Sequence, residues 1–287
     1  MKTIIIGCNG QLGYDMVSVF KTEGHIVQGI DLPDIDITDL TSVKTTIKKI
    51  NPDIIINCAA YTAVDDCENN EETAFAVNAE GIANIANAAE SIGAPVVHFS
   101  TDYVFDGLKK SPYIESDATN PQSVYGKSKL EGEHNLIKST KKYFIFRISW
   151  LYGRHGNNFA KTIRKVAMQK LKSNEPFKVV NDQFGTPTYT KSVCKQILSV
   201  IFTDNYGIYH CTNEGECAWF DFAKYITKSF NITIEILPCT TAEFPRPAPR
   251  PPYSVLENNQ LKSLGLNNMP HWKDAFKVFI EEIKEIE

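Results

Sequence analysis

Tyr125 and Lys129 are the residues whose types and spacing most directly suggest chemistry. They lie four positions apart in a segment predicted to be helical, and residues at i and i+4 share one face of a helix. A free tyrosine has a pKa near ~10, and a fixed ammonium nearby favours the phenolate and lowers that value. We therefore expect the pair to donate a proton in an alcohol/carbonyl interconversion. The alternative is that both side chains lie on a solvated helix surface.

A second polar segment, Ser100–Gly107, follows an apolar run that predicts a strand. The Thr101 hydroxyl at the end of this strand is suited to bind a substrate carbonyl oxygen and to hold it against the phenol of Tyr125. The alternative is a turn in which Ser, Thr and Asp side chains bind local backbone amides.

The N-terminus has the pattern of a dinucleotide-binding turn. The β-branched run Lys2–Ile6 predicts a buried parallel strand, and Gly7, Gly10 and Gly13 follow it before a segment with helical apolar spacing. Such glycines permit a tight turn and a close approach to a pyrophosphate, whose charge lies at the helix N-terminus. The spacing is G-x-x-G-x-x-G rather than G-x-G-x-x-G, and a chance triplet is the alternative.

Asp31 ends a second predicted strand, 25–30, at the distance where an acid meets an adenosine ribose. A carboxylate there favours a free 2′-hydroxyl and hence NADH. The alternative is that Asp31 only begins the turn of residues 31–34.

Apolar strand candidates such as Lys2–Ile6 and Tyr143–Ile148 alternate with helical segments, among them the long Ala-rich stretch 71–92, along the first half of the chain. Beyond residue 150 the alternation is less regular, with a further strand candidate at 232–237. This alternation predicts an α/β fold with a doubly wound parallel sheet, in which ligands lie beyond the C-terminal ends of the strands. We expect a dinucleotide-binding domain over 1–150, with segments around 177–212 returning to it, and a smaller substrate-binding lobe over most of 151–287. The proline-rich loop 244–252 is interpreted as a rigid wall over the substrate; the alternative is a partner-binding polyproline segment.

Composition excludes several other classes of protein. The net charge of −4 and the absence of a basic aromatic stripe argue against nucleic-acid binding, and no apolar run approaches the ~20 residues of a membrane span. Seven cysteines without C-x-x-C spacing are typical of reduced thiols rather than of disulfides or a zinc site. Because a strand begins at once, we expect no signal peptide and a cytoplasmic location.

Taken together, these motifs resemble those of the extended short-chain dehydrogenases/reductases, and more closely those of the dTDP-4-dehydrorhamnose reductase family. The similarity covers nearly the whole chain. Beyond the segments above it includes residues 57–65, 146–150, 156–159, 182–188 and 250–254. It implies a Rossmann-type fold and NAD(P)H-dependent reduction of the C4 ketone of dTDP-4-dehydro-L-rhamnose to dTDP-L-rhamnose, a precursor of cell-surface polysaccharide.

The resemblance also implies roles for individual residues. Tyr125 would protonate the new hydroxyl, Lys129 would hold the nicotinamide ribose, and Thr101 would orient the ketone. The implied cofactor contacts, besides Tyr125 and Lys129, are Gly7, Gly10, Gln11, Leu12, Gly13, Asp31, Asp36, Ile37, Ala59, Ala60 and Tyr61. The implied substrate contacts are Thr101, Asp102, Trp150 and Arg250, with Arg246 as a second candidate for the diphosphate.

One departure from the family concerns metal. Some members bridge a dimer through magnesium held by carboxylates; here Asp15 matches one such position, but Lys191 occupies the second. Because an ammonium cannot ligate magnesium, we expect an ion pair between these two residues, no metal, and a monomer or weak homodimer. The segment Pro252-Tyr253 is bulkier than the family pattern, which leaves the nucleotide base open.

Two other functions remain alternatives at this point. One is a different nucleotide-sugar 4-ketoreductase or epimerase on the same scaffold. The other is a non-catalytic regulatory subunit that keeps the cofactor site and loses the chemistry.

Overall fold

The structure, a computed structural model, describes residues 1–284 and is built around a six-stranded parallel β-sheet. The strands in chain order, including short ones outside that sheet, are β1 (Lys2–Ile6), β2 (Ile26–Ile30), β3 (Ile54–Asn57), β4 (Val96–Thr101), β5 (Tyr143–Ile148), β6 (Leu151–Tyr152), β7 (Phe177–Val180), β8 (Phe184–Gly185), β9 (Thr188–Tyr189), β10 (Gly207–His210), β11 (Cys217–Ala218) and β12 (Ile236–Cys239). The order across the central sheet is β10–β5–β4–β3–β1–β2.

The central strands form because their residues are apolar and mostly β-branched, which suits a sheet covered on both faces. In β1, β3 and β4 nearly every side chain is buried. The chain passes from β1 to β2 on one side and then returns to place β3 on the other side of β1. The order of strands therefore reverses between β1 and β3, and a ligand crevice is expected at the C-terminal ends of these two strands.

Helices cover both faces of the sheet. In chain order they are α1 (Gln11–Thr22), α2 (Leu40–Ile50), α3 (Val64–Cys67), α4 (Glu71–Phe75), α5 (Gly81–Ile92), α6 (Val124–Ser139), α7 (Phe159–Ser173), α8 (Thr190–Val200), α9 (Trp219–Ser229), α10 (Asn259–Ser263) and α11 (Trp272–Lys284). Helices α1 and α8 contribute to the apolar core on one face, and α2, α5 and α6 contribute to the core on the other. The sequence prediction of a doubly wound α/β sheet is confirmed.

The Ala-rich stretch 71–92, predicted as one helix, contains a change of winding. A π-helical segment, Ala76–Glu80, separates α4 from α5. It packs against α6, where the missing side chain of Gly132 leaves room for the Asn78 carbonyl oxygen. π-helical turns inside α-helices frequently occur at functional sites.

A second lobe packs beside the sheet around an aromatic core. Tyr152, Phe222, Phe276 and Phe279 are fully buried there, within helices α7, α9 and α11 and the strands near them. The chain passes between the two parts more than once: β7 pairs with β12 in this lobe, whereas β10 returns to the edge of the central sheet beside β5.

Two further observations concern the whole described chain. All seven cysteines are free thiols. Over residues 1–284, none of the helices has both the length and the apolar character required to cross a membrane.

Candidate active site

Helix α6 presents Tyr125 from its first turn, and the start of this helix is well defined. The Ser123 side chain caps it by accepting a hydrogen bond from the Gly126 amide at 3.1 Å. Glu68 accepts from the Val124 amide at 2.9 Å. A side chain at position 126 would approach the Tyr103 carbonyl oxygen to 2.3 Å, so only glycine lets the helix lie this close to the end of β4.

The end of β4 places Thr101 beside Tyr125. The Thr101 hydroxyl donates to Asp102 Oδ1 at 3.0 Å and accepts from the Tyr103 amide at 3.2 Å. The same hydroxyl is close enough to the Tyr125 phenol to influence its pKa, and the Tyr103 ring meets the Tyr125 ring edge-on with centroids 5.6 Å apart. The two hydroxyl groups that the sequence singled out are therefore brought together at one end of the sheet.

The Tyr125 phenol is stabilised in its protonated form. Burial raises its pKa, the neighbouring Thr101 hydroxyl opposes this rise, and the charge of Asp102 adds to it. The expectation that Lys129 lowers this pKa is wrong for the protein without cofactor. The physical reason is that burial dominates and that the Lys129 amine faces His98.

Lys129 lies one turn further along α6 and is 2% exposed. Burial lowers its pKa to about 8, against the opposing influence of Glu133 and Cys58. Its Nζ atom is 3.4 Å from His98 Nε2. Glu133 itself is held by a buried two-point ion pair with Arg147 of β5, at 3.0 and 2.7 Å, which fixes α6 on the sheet.

Asp102 is a buried acid with incomplete hydrogen bonding. Burial raises its pKa to about 6, although the Ser254 and Thr101 hydroxyls favour the charged form. Within residues 1–284 its Oδ2 atom has no hydrogen-bond partner of ordinary geometry. A buried acceptor without a partner is rare and identifies a place where a ligand hydroxyl could donate.

The glycine turn forms a cradle at the point where the strand order reverses. Gly7 has φ +77°, and a Cβ atom there would lie 2.5 Å from the Ala59 amide nitrogen. Gly10 caps α1 without any side-chain hydrogen bond, so the first-turn amides are left to a ligand. A side chain at position 7 or 13 would clash with the backbone of Ala59 or Gly7, so glycine is what lets the turn pack this tightly against the start of α1. A pyrophosphate fits the outer side of this turn, because the uncapped helix N-terminus favours negative charge.

The structure places the other predicted cofactor residues around this cradle. The Asp31 carboxylate accepts from the amides of Asn9 at 3.0 Å and Leu32 at 2.9 Å, which holds it beside the glycine turn. Asp36 binds the Thr38 amide and hydroxyl, which lower its pKa. The Ile37 and Leu12 side chains are buried.

The Gln11 side chain reaches away from the cradle to the second lobe. It donates to the Leu151 carbonyl at 3.2 Å and accepts from the Asn158 amide at 2.8 Å. Because its side chain is occupied by these bonds, Gln11 can contact a cofactor at the start of α1 only through its backbone.

Asn78, in the π-helical segment, is a residue that sequence reasoning missed. It binds the backbone of Tyr61 in both directions, at 2.8 and 3.0 Å, and donates to the Ser128 hydroxyl at 3.0 Å. It thereby joins the loop Ala59–Tyr61 to α6. Its position within a predicted helix gave no signal, because a π-helical turn cannot be read from apolar periodicity.

Trp150 is held by contacts with the second lobe. It has a left-handed backbone with φ +46°, a conformation rarely adopted by bulky residues. Its indole stacks on Trp219, with centroids 3.4 Å apart and planes 5° from parallel. Strained positions of this kind cluster at ligand-binding sites.

The two arginines predicted to bind the diphosphate are not equivalent. Arg250 is bound to Asp65 Oδ1 at 2.6 Å and to the Ala248 carbonyl at 2.7 Å. It lines a small cleft with Tyr103 and Ser123. Arg246 is exposed and lies over the Phe244 ring at 5.0 Å.

The predicted ion pair between Asp15 and Lys191 is wrong. Lys191 pairs with Glu282 at 2.6 Å, while Asp15 is buried and accepts a hydrogen bond from the Thr190 hydroxyl. Burial raises the pKa of Asp15, and the nearby Glu282 raises it further. Over residues 1–284, no group of three or more His, Cys, Asp or Glu side chains is arranged to hold a metal.

The family model of the RmlD substrate binding domain matches residues 1–285. The dTDP-4-dehydrorhamnose reductase of Sinorhizobium fredii is 37% identical over 286 residues, which span 96% of this chain and 95% of that protein.

Two solved structures share the whole architecture. A dTDP-4-dehydrorhamnose reductase from Clostridium acetobutylicum superposes with a TM-score of 0.95 at 45% identity, covering 99% of this chain and 100% of the other. The enzyme of the same name from Bacillus anthracis, in complex with NADP, gives a TM-score of 0.94 at 40% identity, covering 98% and 99%. The chain therefore belongs to the dTDP-4-dehydrorhamnose reductase family, within the group that the RmlD substrate binding domain defines.

Proposed function

We propose that this protein reduces the C4 ketone of dTDP-4-dehydro-L-rhamnose to dTDP-L-rhamnose with NAD(P)H. The observation that carries the proposal is that the Thr101 hydroxyl and the buried Tyr125 phenol are neighbours at the C-terminal end of the sheet, where the strand order reverses. Family membership supplies the substrate class, since full-length relatives carry the name dTDP-4-dehydrorhamnose reductase.

NAD(P)H, when bound, supplies the hydride that reduces the ketone carbon. Thr101 and Tyr125 place two hydroxyl groups side by side. A ketone oxygen can accept from the Tyr125 phenol, and from the Thr101 hydroxyl once that hydroxyl turns away from Asp102 Oδ1, to which it donates here. Because burial keeps the Tyr125 phenol protonated at neutral pH, it holds the proton that the developing alkoxide requires. Lys129, buried behind it on the same helix, would bind the nicotinamide ribose.

The cofactor would lie along the glycine turn and the ends of the neighbouring strands. Its pyrophosphate would contact the turn Gly7–Gly13 and the first amides of α1, which no side chain caps. Asp31 would bind the adenosine ribose, and Ala59–Tyr61, anchored by Asn78, would follow the edge of the crevice. The charge of Asp31 favours NADH over NADPH.

The sugar would lie between the two lobes. Asp102 offers its unpaired Oδ2 to a sugar hydroxyl, and Trp150 offers an apolar ring face. Arg250 would bind the diphosphate by exchanging Asp65 for phosphate oxygens. We further propose that the cofactor-binding domain consists of residues 1–150 with β10 and its preceding helix, and that most of 151–287 forms the substrate-binding lobe.

Tyr125→Phe is the decisive variant, with Tyr103→Phe as a control that removes a neighbouring phenol. We expect Tyr125→Phe to lose about 10²–10⁴-fold in kcat with dTDP-4-dehydro-L-rhamnose while binding NAD(P)H normally. Full activity of this variant would refute the assignment. A wild-type protein that binds cofactor but reduces no 4-keto sugar nucleotide would instead favour a regulatory subunit, and turnover of another sugar nucleotide a different reductase.

Two properties of the protein in solution belong to the same proposal. We infer a cytoplasmic enzyme, because seven free thiols suit a reducing compartment. We also infer a monomer or weak homodimer without a bridging metal, because Lys191 neutralises Glu282 where a cation would otherwise bind.

A further inference from the structure

We propose that Asp65 is a built-in counter-anion that occupies Arg250 in the free enzyme and thereby sets the affinity of the substrate site for a nucleotide diphosphate. The inference rests on the proposed function, in which Arg250 binds the diphosphate of the nucleotide sugar. Its evidence is the set of hydrogen bonds that join these two side chains to each other and to the loop 244–252.

One nitrogen of the Arg250 guanidinium is fully committed to the protein. Nη1 donates to Asp65 Oδ1 at 2.6 Å and to the Ala248 carbonyl oxygen at 2.7 Å. An Nη atom carries two hydrogens, so these two acceptors use both of them. A phosphate oxygen can therefore bind Nη1 only after one acceptor has left. Ala248 lies two residues from Arg250 in the same loop, whereas Asp65 lies on α3, 185 positions away along the chain.

The Asp65 carboxylate is itself held against the loop. The Ala248 amide donates to Asp65 Oδ1 at 3.2 Å, so Asp65 binds both the guanidinium and the loop backbone. The side chains of Arg250 and Asp65 are 17% and 28% exposed, so water and salt screen this pair less than an ion pair on the open surface. The hydrogen bond from Arg250 also lowers the pKa of Asp65, which keeps the carboxylate charged at neutral pH.

An incoming diphosphate meets Asp65 as a charge of the same sign. A carboxylate and a phosphate on one guanidinium repel each other, and like charges in contact cost binding energy. The phosphate can offer two oxygens to the planar guanidinium, whereas Asp65 contacts it through one. We therefore expect Asp65 to leave and the neutral Ala248 carbonyl to stay. The free enzyme binds anions at this place more weakly than an unpaired arginine would.

The other charged groups near this pair have contacts of their own. Glu68, on the residue after α3, accepts a hydrogen bond from the Val124 amide at the start of α6. Arg246 is exposed and lies over an aromatic ring. Within residues 1–284, Asp65 is the acid in ion-pair contact with Arg250. Loss of the carboxylate at position 65 should therefore leave Arg250 without a counter-ion.

Binding of dTDP, measured by isothermal titration calorimetry, is the direct test and needs no turnover. Asp65→Asn keeps the side-chain shape and an oxygen for the Ala248 amide, but it removes the charge that competes with phosphate. We expect this variant to lower the Kd for dTDP about tenfold. The control Asp66→Asn removes one negative charge from an exposed neighbour on α3 and should change the Kd less than about twofold.

Two results of this titration would overturn the proposal. A higher Kd in Asp65→Asn would mean that Asp65 helps Arg250 to bind phosphate. Equal effects of Asp65→Asn and Asp66→Asn would mean that the net charge of the protein is responsible.

A double-mutant cycle tests whether the effect passes through Arg250. In an Arg250→Ala background the competition has no object, so Asp65→Asn should change the Kd for dTDP no more than Asp66→Asn does. A tenfold gain that persists without Arg250 would overturn the proposal, because Asp65 would then act on the diphosphate directly.

Crystal structures of the wild type with and without dTDP decide the matter if Asp65→Asn fails to fold. In the complex we expect phosphate oxygens on the Arg250 guanidinium and Asp65 Oδ1 beyond the ~4 Å limit of an ion pair. A complex that keeps the bond between Arg250 Nη1 and Asp65 would overturn the proposal.

Activity separates this inference from the proposed function. If the reductase assignment is correct, Asp65→Asn should also lower KM for the nucleotide sugar. A protein with the expected dTDP affinities but no turnover of any 4-keto sugar nucleotide would retain the Asp65 inference and refute the reductase proposal. A protein that reduces the ketone but shows no gain in dTDP affinity in Asp65→Asn would retain the reductase proposal and refute the inference.

Discussion

Replacing Asp102 by asparagine should stabilise the free protein at neutral pH, and the gain should shrink as the pH falls. Asp102 is 2% exposed, its Oδ2 atom finds no hydrogen-bond partner within residues 1–284, and burial raises its pKa to about 6. The folded protein therefore disfavours the charged carboxylate. Asparagine has nearly the same shape and keeps an oxygen for the hydrogen bond from Thr101.

The size of the effect follows from the difference between the pKa of Asp102 in the folded protein, about 6, and its ordinary pKa of 3.8. Each pH unit of difference corresponds to about 1.4 kcal/mol, so the ionised Asp102 lowers the free energy of unfolding at pH 7 by about 3 kcal/mol. Because the folded-state pKa is the higher one, this penalty is absent well below pH 3.8 and grows until the pH exceeds 6. Near pH 4 it is less than about 1 kcal/mol.

Denaturant unfolding of Asp102→Asn and wild type at pH 7.5 and pH 4 measures this difference. We expect a stabilisation of about 3 kcal/mol at the higher pH and little at the lower. Asp106→Asn is the matched control, because hydrogen bonds from the Leu108 amide and the Tyr113 hydroxyl lower the pKa of Asp106. The Asp106→Asn variant should have a lower free energy of unfolding than the wild type at pH 7.5. Equal effects of Asp102→Asn at both pH values would refute the reasoning.

Three further predictions concern ligands and charge. Trp219→Ala removes the ring on which Trp150 stacks and should raise KM for the nucleotide sugar by up to about tenfold. The control Trp272→Phe, in the second-lobe core, should leave KM unchanged, and equal KM values for both variants would contradict the prediction. Asp31→Ser should raise the ratio of kcat/KM for NADPH over NADH about tenfold by removing a carboxylate that repels the 2′-phosphate, while Asp34→Ser, in the same turn, leaves the ratio unchanged. Activity of the wild type should survive EDTA, and its loss on chelation would reject the metal-free assignment. The Lys191→Glu variant places a carboxylate against Glu282, so its Tm should fall in EDTA and rise again when Mg²⁺ is added.

The fold was largely predictable from sequence because its central strands are local apolar runs. The predicted strands Lys2–Ile6 and Tyr143–Ile148 coincide with β1 and β5. The strand predicted at 232–237 instead spans Ile236–Cys239, since its limits depend on pairing with β7, more than fifty residues earlier. The π-helical turn within 71–92 was also unpredictable, because it depends on packing against α6.

The site was predictable only where its geometry is local. Tyr125 and Lys129 share a helix, so their spacing was informative. Their protonation was not, because it depends on burial and on His98, which is 31 positions away from Lys129. The partner of Lys191 was missed for the same reason: Glu282 is 91 positions away along the chain.

The stacked indoles of Trp150 and Trp219 also give the protein an optical reporter of its own. The chain has three tryptophans, and Trp272 is buried in the core of the second lobe. Two indoles with centroids 3.4 Å apart interact electronically, so their absorption and emission differ from those of separate rings. A ligand that shifts Trp150 would change the signal of the pair and leave that of Trp272 constant. Entry of a sugar nucleotide between the lobes can therefore be followed by stopped-flow fluorescence without a label.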